Sequence, residues 1–156
     1  MGKKNINNKG VRAMIKLTLF MIYICVLCYV LFFAENMGRK TGERLYSYNL
    51  VPFNEIKRYL YNVETIGLNM VLINLLGNIL LFLPFGFLLP SFWPEDEKKH
   101  PIAMFIIAML FSAVVECLQF MTGVGSADVD DIILNTAGAM LGYFIYRLRC
   151  IIRKGR

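Results

Sequence analysis

The chain has 156 residues, enough for one domain, and 57% of them are hydrophobic. An average globular chain is about 45–50% apolar, and here the excess falls in blocks, which excludes an ordinary soluble domain and points to membrane spans. The formal net charge of +6 comes from Lys and Arg gathered beside those blocks. It therefore reads as a topology signal, and nucleic acid is not an expected partner.

Residues 1–10 are polar, basic and Asn-rich, and their composition predicts a disordered N-terminus. The first span follows at Leu17–Ala34, with no charge in it. A secretory signal peptide also begins with basic residues. This apolar stretch is longer than the usual 7–15 residues, however, and no A-x-A-like site follows, so an uncleaved anchor is expected. Cys25 and Cys28 form C-x-x-C inside that stretch, where nothing favours a thiolate, so they read as small packing residues. Cys117 and Cys150 have no evident mate, and no disulfide framework is expected.

Between the first and second spans lies a mixed-charge segment, Glu35–Ile66. Within it, NLVPFNEIKRYLYNV predicts an amphipathic helix with Pro52 in its first turn and Phe53, Ile56, Leu60 and Val63 at helical spacing. Tyr46, Tyr48, Tyr59 and Tyr61 suit a membrane interface. A plain surface loop packed on the bundle is the competing reading.

The second span is Gly67–Pro90 and the third is Ile102–Met121. The turn between them, SFWPEDEKKHP, offers Phe92 and Trp93 as interfacial anchors and residues 95–99 as a solvated charge run. His100, the sole histidine, falls here, away from the acidic cluster, and no catalytic role is expected of it. The fourth span is Asp131–Leu148. Lys3, Lys4, Lys9, Arg12 and Lys16 precede the first span, and Arg147, Arg149, Arg153, Lys154 and Arg156 close the chain. The loop before the fourth span has no basic residue. These signs predict an all-α, multi-pass cell-membrane protein of four transmembrane helices with both termini cytoplasmic and the amphipathic helix extracytoplasmic. One domain over 11–150 is expected, with a basic tail at 151–156 whose charges would meet anionic membrane lipid.

Polar groups inside spans are costly, so each needs a reason. Ala108, Ser112, Glu116 and Gln119 share one face of the third span, and Asn74 and Asn78 flank Gly77 in the second. Asp131, Asn135, Gly138 and Gly142 form one line on the fourth, extended backwards by Asp128. Gly138 and Gly142 allow close helix approach. Burying these faces together predicts an outward-facing polar pocket lined by Asn78, Glu116, Gln119, Asp131 and Asn135. Asp128 doubles as an N-cap, and Asp130, off the face, reads as a solvated surface acid. Either asparagine could serve only to bridge helices. Glu116 and Asp131 could act as an acid–base pair. The oxygen ligands could take a divalent cation, although the aspartate spacing is not that of a calcium loop. No resident cofactor and no dedicated metal site are expected.

Taken in order, Asn49-Leu-Val-Pro52-Phe53, Gly77-Asn78, Phe82-x-Pro84-x-Gly86-x-Leu88-Leu89-Pro90 and Glu116-x-x-Gln119 resemble the VanZ-like family. So does Gly125-Ser126-x-Asp128-x-Asp130-Asp131-x-x-x-Asn135-x-x-Gly138-x-x-x-Gly142. The resemblance runs from the first span to the fourth. It implies a small bacterial envelope protein, most often Gram-positive, whose family namesake is associated with low-level resistance to the glycopeptide teicoplanin. Carried over, the family's polar positions fall on Asn49, Asn78, Glu116, Gln119, Asp128, Asp131 and Asn135. Where family members often carry an Arg before the aspartates, this chain has Gly125-Ser126, which weakens any mechanism needing a cation beside them. The expected ligand-binding set is thus Asn78, Glu116, Gln119, Asp128, Asp131 and Asn135. The partner is a lipid-linked cell-wall precursor or a glycopeptide, and enzymatic action on such a substrate through Glu116 and Asp131 is the alternative. A small cation or proton carrier is disfavoured, because the inner halves of the spans lack polar residues.

Overall fold

A computed structural model describes residues 2–34, 48–94 and 100–155 of the chain. The expectations placed on Tyr46 and on residues 95–99 lie outside them. Helix α1, Gly2–Tyr29, runs on through a π-helical turn at Val30–Ala34. Its backbone is helical from Gly2 onward. Then come β1 (Tyr48–Asn49), α2 (Asn54–Tyr61) and α3 (Val63–Ile66). Helix α4, Leu68–Leu88, ends in a 3-10 turn at Leu89–Phe92. Helix α5 (Pro101–Thr122), β2 (Ala127–Asp128) and α6 (Val129–Lys154) complete the chain.

Among the described residues, three helical stretches are long and apolar enough to cross a membrane: Lys9–Phe33, Leu68–Phe92 and Pro101–Thr122. The fourth expected span is a helix of 26 residues, about 39 Å at 1.5 Å per residue. It is not as uniformly apolar, because Asp130 and Asp131 open it and Arg147, Arg149, Arg153 and Lys154 fill its last turns.

Local chemistry sets the helix ends. Pro101 begins α5 where its missing N–H costs nothing. Gly123, at φ 66, stops α5 by donating to the carbonyls of Gln119 and Phe120. Asp128 caps α6 as expected, its side chain accepting from the Asp130 N–H at 2.8 Å. Upstream, the predicted amphipathic helix is shorter than its apolar spacing suggested. Pro52 lies before it, and it ends at Asn62, whose φ of −110 and ψ of 28 leave the helical range while its side chain donates to the Arg58 carbonyl. Val63 therefore falls in α3. Ile56 and Tyr59 turn partly inward, while Phe53 and Leu60 point outward.

The core forms where α1, α4, α5 and α6 meet, around Leu27, Phe82, Phe85, Met104, Ala108 and Tyr143. Phe85 stacks on Phe111 with centroids 4.6 Å apart. The closest contact is between α4 and α6. A Cβ on Gly86 would strike the Ala139 backbone, one on Gly138 the Ile79 backbone, and one on Gly142 the Leu83 backbone. Small residues let these two helices meet main chain to main chain, where close packing replaces the hydrophobic effect that lipid cannot supply. Helix α1 is attached more lightly. Its Tyr23 hydroxyl donates to the Leu81 carbonyl at 2.9 Å, in the turn of α4 that Pro84 loosens. Near its other end, Gln119 of α5 donates to the Leu31 carbonyl at 3.0 Å.

The two ends of the bundle differ. At one, Lys16 reaches the Ser91 carbonyl and Arg149 lies over the Phe87 ring, so the start of α1 and the end of α6 flank the end of α4. At the other, β1 pairs in parallel with β2, Tyr48 opposite Ala127 and Asn49 opposite Asp128. The acidic residues gather at this second end.

Candidate functional site

The segment from Asp128 to Asp131 joins the acidic end together. The Asp128 carboxylate accepts from the Asn49 side chain at 2.9 Å, tying β1 to α6. The Asp131 carboxylate accepts from the Asn78 side chain at 2.5 Å, tying α4 to α6. Asp130, expected to be a solvated surface acid, is instead 1% exposed. Its two oxygens accept from the backbone N–H groups of Phe53, Glu55 and Ile56. The physical reason is the start of α2: a helix leaves its first N–H groups without partners, and no α2 side chain caps them. Three aspartates in four positions thus fasten three different elements.

Glu116 lies behind this segment. It is 4% exposed and accepts the Asp128 backbone N–H at 3.2 Å. Deeper still, Asn135 donates to the Ser112 hydroxyl at 2.9 Å, bridging α5 and α6. Among the described residues, the Asn135 side-chain oxygen and the Thr136 hydroxyl have no hydrogen-bond partner. The shared face predicted for the third span is real: Ala108, Ser112, Glu116 and Gln119 are all buried.

In front of the segment opens a cleft of about 150 Å³ with almost wholly polar walls. Helix α2 supplies Glu55, Arg58 and Tyr59, α4 supplies Asn74, and α5 supplies Gln119. Gly125, Ser126, Asp128 and Asp131 form the remaining wall. Of the six residues expected to bind ligand, Gln119, Asp128 and Asp131 line this cleft. Asn78, Glu116 and Asn135 do not. They stand behind it because their polar atoms are turned to Asp131, to the Asp128 backbone and to Ser112.

The residues missed from sequence are those of α2. Arg58 forms an ion pair with Glu55 at 2.5 Å and lies 5.1 Å from the Tyr59 ring centroid. Burial raises the Tyr59 phenol above its ordinary pKa, with the Arg58 charge acting the other way. A cation therefore shares the cleft with Asp128 and Asp131, delivered by a helix some 70 residues upstream and not by the positions before them. The only signal for it was the amphipathic stretch between two spans, which placed a helix near this end without saying which face it turns inward.

Chemically, the cleft offers donors from Arg58, Asn74, Gln119 and Ser126 and acceptors from Asp128 and Asp131, with acids outnumbering bases. Among the described residues, no three His, Cys, Asp or Glu side chains converge as a metal site. The arrangement suits recognition of a small polar group of about five heavy atoms, given that one water occupies about 30 Å³.

Comparison with known proteins follows the same span of chain. The family described as VanZ/LLP1 matches residues 20–152. The chain is 27% identical over 148 residues to Protein VanZ of Enterococcus faecium, an alignment covering 95% of this chain and 77% of that protein. No solved structure matches.

Proposed function

The chain belongs to the VanZ/LLP1 family, and on that premise we propose that it is a four-span protein of the bacterial cell membrane, its acidic end outward. It lowers susceptibility to glycopeptides such as teicoplanin by binding or modulating an envelope component. Support for four spans comes from α6, which is long enough to cross and packs lengthwise on α4. Support for cytoplasmic termini comes from the basic residues of α1 and α6 flanking one end of α4. The relative in Enterococcus faecium carries the VanZ name, and the drug association is taken from that name alone.

The observation that carries the binding reading is the polar cleft. Its volume of about 150 Å³ is far too small for a whole glycopeptide. It therefore takes a polar portion of the component, such as an amide, hydroxyl or ammonium group of a lipid-linked wall precursor. The enzyme reading needs Glu116 and Asp131 to face one reacting group. Glu116 lies behind the Asp128 backbone and outside the cleft lining, which favours binding over acid–base catalysis.

The test compares teicoplanin susceptibility and wall-precursor composition in cells expressing the parent, Glu116→Gln and Asp131→Asn. Reduced susceptibility with unchanged precursors, lost in Asp131→Asn, is the expected result. Altered precursors that revert in both variants would establish the enzyme instead. If both variants protect as well as the parent at equal expression, the cleft is not the site. Labelling of a cysteine introduced by Ser126→Cys with an impermeant maleimide checks the orientation, and a cytoplasmic Ser126 overturns it.

A further inference from the structure

Helix α2 has no buried residue, yet it supplies Glu55, Arg58 and Tyr59 to the cleft. At eight residues it is too short to persist in water unaided. Its exposed Phe53 and Leu60 add nothing to the core. What fixes it is one buried carboxylate, Asp130, which accepts the N–H groups of Phe53, Glu55 and Ile56 and sits where the helix dipole favours an anion. The chain turns into α2 at Phe53, whose φ of 65 is disfavoured for any residue but glycine. Beyond α3 it turns into α4 at Gly67, φ 90. The α2–α3 segment is thus bounded by two positive-φ turns, and its first N–H groups are held by one buried side chain.

We propose that α2 is a hinged wall of the cleft and that Asp130 is its latch, a positioning residue that never touches the ligand. Engaged, the latch sets Glu55, Arg58 and Tyr59 opposite Asp128, Asp131 and Gln119. Released, it lets α2 move into the membrane interface, to which Phe53, Leu60 and Tyr61 are suited, and the cleft opens. The inference rests on the cleft being the binding site, but its test does not.

The experiment uses the full chain in membrane vesicles, with Cys25, Cys28, Cys117 and Cys150 replaced by alanine and one cysteine introduced by Ser126→Cys. The rate of labelling by an impermeant maleimide reports access to the cleft. Asp130→Asn removes the charge and is expected to raise that rate about tenfold, as loss of charge-assisted bonds to a helix start should. Phe53→Gly relieves the positive-φ turn and is expected to slow labelling about fivefold. A cysteine introduced at the far end by Ser91→Cys, read in inside-out vesicles, should label at one rate with either residue at 130. An unchanged rate at position 126 in Asp130→Asn overturns the proposal, and so does a parallel rise at position 91, which would mean general loosening. If Asp130→Asn does not accumulate, Phe53→Gly decides alone, and a rate equal to or above the parent's overturns the latch. Because labelling is read without drug or precursor, altered rates with unaltered susceptibility would leave the hinge standing and remove the binding reading.

Discussion

The two halves of the α4–α6 pair hold together by opposite means. In the half from Ile79 to Phe87, glycines bring main chain against main chain at three positions. In the half nearer Asp131, the helices are bridged by the Asn78–Asp131 hydrogen bond, and a polar cleft opens beside it. The first half is rigid because backbone cannot yield. The second is adjustable because its attachments are side chains that can let go. A membrane protein needs both: a seam that survives without a hydrophobic drive, and an end whose contacts can be exchanged for a ligand's.

The largest expected effect comes from breaking the seam. Gly142→Ala places a methyl against the Leu83 backbone and should destabilise by about 3 kcal/mol or more, since overpacking here cannot be relieved by a rotamer change. Thermal unfolding in detergent would show it, and a near-normal melting temperature would mean the helices can separate at little cost. Loss of the Asn78 bridge in Asp131→Ala should cost less, about 1.5 kcal/mol, as expected for one hydrogen bond to a charged group. The same measurement would rank the pair. Thr136→Val removes a buried hydroxyl that has no hydrogen-bond partner among the described residues. It should leave stability unchanged or raise it by up to about 1 kcal/mol, and clear destabilisation would show that the hydroxyl is engaged. A small gain is expected from Gly77→Ala. Nothing lies within 4 Å of the added Cβ, so the helix-forming gain of about 0.5–1 kcal/mol should be all that is seen. If Gly77→Ala proved as harmful as Gly142→Ala, the contrast between the two halves would be wrong.

Much of the seam and of the buried polar face is legible in the sequence, because both are written in short-range spacing. Residues four and three apart share a helix face, so spacing alone points Ala108, Ser112, Glu116 and Gln119 one way, and does the same for Gly138 and Gly142. The cleft is half legible. Its floor comes from Gln119, Asp128 and Asp131, which lie on those faces. Its opposite wall comes from Glu55, Arg58 and Tyr59, brought in by a contact between Asp130 and a backbone 75 residues away. Backbone N–H groups are the same at every residue, so no pattern of side chains marks Asp130 as their acceptor. Its position off the shared face suggests solvent, and the start of α2 takes solvent's place. Spacing also overextends α2, because a break in the backbone at Asn62 leaves the apolar rhythm intact.

The compactness of the aspartate segment has a consequence for chain length. Asp128, Asp130 and Asp131 reach β1, α2 and α4 from within four consecutive positions. Each added residue turns a helix by about 100°. One residue inserted after Val129 would turn Asp128 by about that angle relative to Asp130 and Asp131, so the three could no longer meet their targets together, while hydropathy and span length would barely change. Homologous chains should therefore tolerate insertions on either side of this segment far more readily than within it.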